Sequence, residues 1–212
     1  MLYLLQFGHA QRNDARLWAS IRLEKQVSPR LLAHFKEAIR IGQNITQLNY
    51  SFSDIGLTFK VNKHIFVSLD YRLIHKLQME EYISVRHRFY FTLLLKKKFK
   101  PFIISTRFIF QSELQDIYSS EEGKIPDYYL RSKITVKYDL NRFRPYLATE
   151  LHTNVIRWEQ LLPNRYRAIG GLSYELNKMN ELEAFYIFER RFNEYNPLTN
   201  YIIGIGYTHR FY

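Results

Sequence analysis

The sequence has no cysteine among its 212 residues. That single absence removes disulfide frameworks, thiolate metal sites and thiol nucleophiles together, and it leaves the redox compartment undetermined. Glycine and proline are also scarce, at 8 and 6 residues, which excludes collagen-like and low-complexity chains. No window offers the roughly 18 consecutive apolar residues of a spanning helix. What the chain does have is aromatic side chains, 17 Tyr and 16 Phe. So much apolar mass excludes a disordered polymer.

The formal charge is +11, from 31 Lys and Arg against 20 Asp and Glu. Such a balance suits nucleic acid or an anionic membrane surface. No helix-turn-helix, zinc-finger or RNP-like pattern is present, and the basic residues are scattered singly at alternate positions. Nucleic acid is therefore not expected as a partner. The N-terminus reads MLYLLQFGHAQ. Its apolar residues 2–7 and the small-x-small triplet Gly8-His9-Ala10 resemble the tail of an export signal cleaved after Ala10. On that reading residues 1–10 are a signal-peptide remnant and 11–212 form a single domain. The alternatives are a first strand or a misplaced start.

Alternation of period two recurs along the chain. In YYLRSKITVKYDL, residues 128–140, Leu130, Ile134, Val136, Tyr138 and Leu140 alternate with Arg131, Lys133, Thr135, Lys137 and Asp139. Successive strand side chains point to opposite faces, so one face is apolar and the other charged. The segment 86–110, RHRFYFTLLLKKKFKPFIISTRFIF, resolves in the same way. Its arginines need a polar side and its aromatics an apolar one. Further segments from 17 to 24, 54 to 61, 65 to 72, 147 to 152, 167 to 175 and 182 to 189 repeat the pattern, whereas 31–41 is less clean. About eleven strands result, many near the ~9–11 residues needed to cross a bilayer at a tilt.

Short polar turns are expected at 28–30, 62–64, 96–98, 141–143 and 177–180. Longer links are expected around 43–48, 76–81, 112–127, 157–164 and 194–200. Short turns on one rim and long loops on the other is the layout of outer-membrane barrels. Tyr201, Ile203, Ile205, Tyr207 and Phe211 share a face of the last strand, which suits delivery to a barrel-assembly machinery. In hydrocarbon every backbone group must be paired, so spanning strands must close on themselves. About eleven apolar strand faces would overfill an eight-stranded soluble interior. Turned outward to lipid they have room, and the charged faces then line the lumen. The expected fold is an all-β, antiparallel, up-and-down transmembrane β-barrel of 10–12 strands. Bacterial single-chain barrels have even strand numbers, so ten or twelve is expected. A soluble lipocalin-like ligand-binding barrel is the alternative.

Several short stretches occur in a telling order: Leu17-Trp18 with Leu23-Glu24-Lys25, Phe52 to Leu57, Asp70-Tyr71-Arg72, Arg86 to Tyr90, Lys137 to Leu140, Arg165-Tyr166-Arg167, and Asn200 to Tyr207. Together they resemble a family of small Gram-negative outer-membrane β-barrels catalogued as a domain of unknown function. The resemblance covers about residues 13–212. It implies an outer-membrane address and no known activity, and it carries over no functional residues.

The candidate lumen-lining residues are Arg22, Asp54, Asp70, Arg72, Arg86, Arg88, Arg107, Arg131, Lys133, Glu150, His152, Arg167 and Glu189. Buried charges must be paired and hydrogen-bonded or they are costly. One reading is thus a salt-bridged, purely structural interior. A second is a narrow, porin-like, anion-preferring passage or binding cavity for a small anionic solute. A third is a lipid or ester hydrolase built on Ser173, His152 and Glu150. No catalytic residue, cofactor or metal is assigned, since neither metal-ligand spacing nor a phosphate-cradling glycine loop occurs. The expected partners are outer-membrane lipid, a small anionic solute and, during biogenesis, the barrel-assembly machinery. Basic turns at Lys63-His64 and Lys96 to Lys98 would meet anionic head groups.

Overall fold

The structure, a computed structural model, describes residues 12–77, 83–114, 127–157, 160–193 and 197–211. The segment 1–10, read above as a signal remnant, lies outside the described residues. So does most of the expected 112–127 loop. Alternation drives every element. The described strands are β1 (Arg12–Ser28), β2 (Leu31–Gly42), β3 (Gln47–Lys60), β4 (Ile65–Leu77), β5 (Ile83–Phe99), β6 (Phe102–Leu114), β7 (Asp127–Tyr138), β8 (Phe143–Arg157), β9 (Gln160–Glu175), β10 (Asn180–Arg191) and β11 (Leu198–Phe211). Each pairs with its sequence neighbour, and the sheet closes into a barrel.

Eleven strands fall within the expected range, but the number is odd. Chain direction alternates from strand to strand, so an odd count brings the first and last strands together pointing the same way. The seam is accordingly parallel, from Arg12 beside Leu198 to Lys25 beside Phe211. The start of β1 and the end of β11 therefore lie at opposite rims.

The strands are longer than expected, at 12 to 17 residues. At a tilt near 45° they rise roughly 28–40 Å, enough to cross a ~30 Å hydrocarbon layer. The extra length comes out of the connections. Lys96 to Lys98 belong to β5, and the chain reverses at Lys100-Pro101, which is joined by a cis peptide. Ser112, Glu113 and Leu114 extend β6. The expected 157–164 loop is largely strand, because β8 runs to Arg157 and β9 begins at Gln160. We call the rim carrying 29–30, 61–64, 100–101, 139–142 and 176–179 the turn rim, and the opposite one the loop rim.

The greasy half of each alternation faces outward. Leu147 keeps 72% of its surface exposed, Leu69 64%, and Phe89 and Ile134 50%. A soluble barrel would hide these side chains, so the lipocalin-like alternative fails. Among the described strand residues the charges on the outward face are Lys25, Lys97 and Arg190 near the rims and Glu37 within β2. That sparseness suits lipid, where a cation at mid-depth costs about 2–4 kcal/mol. The barrel is thus outer-membrane-like, with its polar side chains turned inward.

Candidate lumenal site

Two polar rungs run around the inner wall. The first follows the strand register from β1 to β6 as Arg22, Lys36, Asp54, Arg72, Arg88 and Glu113, each beside the next. The second follows it from β6 to β11 as Arg107, Lys133, Glu150, Arg167, Glu189 and Asn200. Both open with the same four-strand order of arginine, lysine, carboxylate and arginine. Strand tilt makes each rung descend, so its leading cations lie nearer the turn rim and its last members nearer the loop rim.

Towards the loop rim the interior is packed. Glu150 accepts hydrogen bonds from Arg131 Nη2 at 2.8 Å and Arg167 Nη1 at 3.0 Å. Glu189 accepts from Arg167 Nε at 2.6 Å and Asn200 Nδ2 at 2.5 Å. Glu113 holds Arg86 at 3.0 Å and also Arg88. Asp54 is held by Arg72 through Nε at 3.1 Å and Nη2 at 2.5 Å. Glu150 and Glu189 are 2% and 1% exposed. Fully buried carboxylates of this kind persist because guanidinium partners saturate their oxygens. Arg40 has aromatic partners, lying over Trp18 at 4.0 Å and Tyr50 at 4.7 Å, while Arg72 stacks on Phe52 at 3.8 Å. Two apolar clusters, Tyr146 with Ile169, Ile187 and Ile202, and Ala38 with Phe52 and Ile74, sit in the lumen as well. The first cluster reaches towards the turn rim, since Tyr146 lies near the start of β8 and beside Lys137.

Towards the turn rim the inner wall changes character. Thr58, Ser68, Thr92, Ser105, Gly206 and Thr208 stand among larger inward residues such as Phe66, Leu94 and Tyr146, and Thr58 and Ser68 bond to each other at 2.8 Å. Solvent reaches the space at this level. Arg107, inward-pointing at mid-strand, keeps 37% of its side chain exposed, against 8% for Arg167. The leading lysines of both rungs face this space. Neither Lys36 nor Lys133 takes part in the ion pairs that hold the packed layer, and Glu183 is an electrostatic neighbour of both. Arg107 approaches Glu150 only to 3.8 Å.

One step nearer the turn rim than Lys36, Asp54 and Arg72, the residues His34, Gly56 and Asp70 stand in register on three adjacent strands. His34 Nε2 reaches Asp70 Oδ1 at 2.7 Å directly over Gly56. A Cβ at position 56 would overlap that carboxylate and lie 2.6 and 2.7 Å from the imidazole, so only glycine permits the contact. With Asp54 these two residues bring ligand-type atoms within 4.8 Å of one another, a grouping that sequence spacing does not suggest. Arg72 already occupies Asp54, and Lys36 stands beside it in register. Both cations oppose a divalent ion there.

The alternation of exposed and buried residues puts all the candidate lumen-lining residues on the inner face. Arg72, Arg86, Arg88, Arg131, Arg167, Asp54, Glu150 and Glu189 meet in the packed layer. His152 joins it 3.3 Å from Glu150. Arg107, Lys133 and Arg22 lie on the turn side, Arg22 bonded to Glu24 at 2.7 Å. Asp70 sits one step nearer the turn rim than Arg72. Sequence reasoning missed Lys36, His34 and Arg40, because β2 carries polar residues on both faces. It missed Glu113, which looked like loop. The hydrolase triplet is not assembled. His152 faces Arg165 and Ser173 faces Arg144, which separates them along the sheet by roughly 25 Å at ~3.3 Å per residue.

Residues 15–209 match the family described as "Protein of unknown function (DUF2490)". No curated protein matches the chain. Among solved structures it is similar to the β domain of the Bordetella autotransporter BrkA, with a TM-score of 0.49 and 8% identity over 77% of this chain and 78% of that one.

Proposed function

This chain belongs to the DUF2490 family, and from that premise we propose that it is a closed barrel of a Gram-negative outer membrane which binds a small anionic solute without conducting it. The observation that carries this reading is the contrast between the two ends of the lumen. The loop side is packed with shared carboxylates, stacked guanidinium groups and apolar clusters. The turn side carries short side chains among larger ones, and there Lys36 and Lys133 take no part in the ion pairs that hold the packed layer. A porin-like passage would need an open, hydrated ring at every level. The short turns of outer-membrane barrels face the periplasm, so the solute enters from there.

Lipid is the second proposed partner. A cleft of about 360 Å³ on the outer wall at the turn rim is lined by His64, Leu95, Lys97, Phe99 and Ile104 among others. Its apolar walls suit an acyl chain, and Lys97 suits a head-group phosphate.

Purified protein reconstituted in planar bilayers tests the closed state. It should stay electrically silent while binding small anions by titration calorimetry in detergent. Discrete, anion-biased steps would restore the pore reading, and silence without anion binding would leave a purely structural barrel.

A further inference from the structure

The two rungs share a feature that one salt-bridged plug does not require. Arg22, Lys36, Asp54 and Arg72 on β1 to β4 match Arg107, Lys133, Glu150 and Arg167 on β6 to β9, type for type and in register. In each rung the carboxylate is taken by the arginine that follows it. In each, the lysine before it is left over. The leftover lysines come from β2 and β7, which lie on opposite walls of an eleven-stranded ring. Both point into the lumen, and Glu183 is an electrostatic neighbour of each.

From this repetition we infer that Lys36 and Lys133, each beside the arginine that leads its rung, form a two-pronged site for a small solute carrying two anionic groups, such as a diphosphate. The inference rests on the anion-binding reading above and narrows it.

The charge balance supports two anionic groups over one. Among the described residues Glu183 is the acidic neighbour common to both lysines, and it is also held by Tyr146. Asp70 is engaged by His34, and Glu150 is saturated by Arg131 and Arg167. Arg22 spends its Nε on Glu24 but keeps its remaining nitrogens. Lys133 also has Glu150 as a neighbour, and Arg107 has Glu150 and Asp70, but those carboxylates are already engaged, so Glu183 is the acidic neighbour left to the two lysines together. Cations in a lumen shielded by lipid need counter-charge, and a solute with one anionic group for each wall supplies it. Short hydroxyl side chains around the space can donate further hydrogen bonds to phosphoryl oxygens.

Pyrophosphate and inorganic phosphate are the probes, titrated into detergent-solubilised protein. Wild type should bind pyrophosphate at least ten-fold more tightly than phosphate. Lys36→Gln and Lys133→Gln should each erase most of that preference, and Lys36→Arg should retain it. Arg142→Gln, on an exposed rim turn, should leave it unchanged. Heat-modifiable gel migration confirms that every variant is folded. Equal affinity for the two probes, or a preference that survives both glutamine variants, overturns the two-pronged site while leaving anion binding itself in place. A wild type that binds neither probe overturns both.

Discussion

The loop-side and turn-side halves of the lumen are built from the same strands, yet they treat charge in opposite ways. On the loop side Glu113, Glu150 and Glu189 are each shared by two or more arginines, Asp54 is held by Arg72, and bulky groups close the remaining gaps. On the turn side short side chains are interspersed with large ones, and Lys36 and Lys133 stand outside the ion pairs that engage Lys98, Arg144 and Arg210. Two positions on β11 condense the contrast. A Cβ on Gly204 would strike the ring of Phe185, while one on Gly206, two residues nearer the turn rim on the same face, would meet Ser20 Oγ and Glu183 at ordinary distances of 3.5 and 3.6 Å.

The largest expected effect comes from one rung. Glu150→Gln should cost about 3–5 kcal/mol, since it strands Arg131, Arg167 and Arg107 beside an uncharged amide. Lys133→Gln, the adjacent rung member, should be neutral or slightly stabilising. Urea unfolding followed by the heat-modifiable gel shift measures both, and equal losses would erase the distinction between the halves. Next come the two glycines. Gly204→Ala should destabilise by about 1–3 kcal/mol through overpacking against Phe185. Gly206→Ala should change stability by less than about 0.5 kcal/mol, or improve it by limiting the unfolded chain.

The smallest effect lies on the turn rim. Lys98 Nζ donates to Asp139 at 2.5 Å and Arg144 Nε does so at 3.2 Å. The Lys98 hydrogen bond, with help from Arg144, holds the Asp139 carboxyl below its ordinary range. A depressed carboxylate contributes above its unfolded pKa and loses that contribution as the pH falls through the folded one. The protection of the 139–142 turn amides, taken relative to the intrinsic exchange rate at each pH, should therefore be unchanged from pH 7 to 5 and fall only below pH ~4. At an exposed rim the effect is local, and the packed layer should not respond. A loss of protection across β8 and β9 in the same pH range would tie the rim to the plug.

Much of the barrel was legible from residues alone. Phe89 against Arg88, and Ile134 against Lys133, are enough to orient two strands, because a lipid-facing wall tolerates few cations. The inner face followed from the same logic, down to Glu150 and Arg167. Three things resisted. β2 hides its phase, since Glu37 points outward while Ala38 points in. Glu113 reads as loop because polar residues at a strand end and in a loop look alike. The strand count parity depends on which first and last strands meet, and no local pattern encodes that.

Period-two patterning by itself determined that this chain is a barrel with an apolar outer wall and an ionic lining, because alternation along each strand is a local property that survives any choice of register. Only the closed structure decided which ionic groups touch. Register sets Glu150 beside Arg167 and separates Ser173 from His152, and tilt lowers one end of each rung into a packed layer while leaving Lys36 and Lys133 above it. Those relations span strands distant in sequence, and they exist only once the sheet has closed.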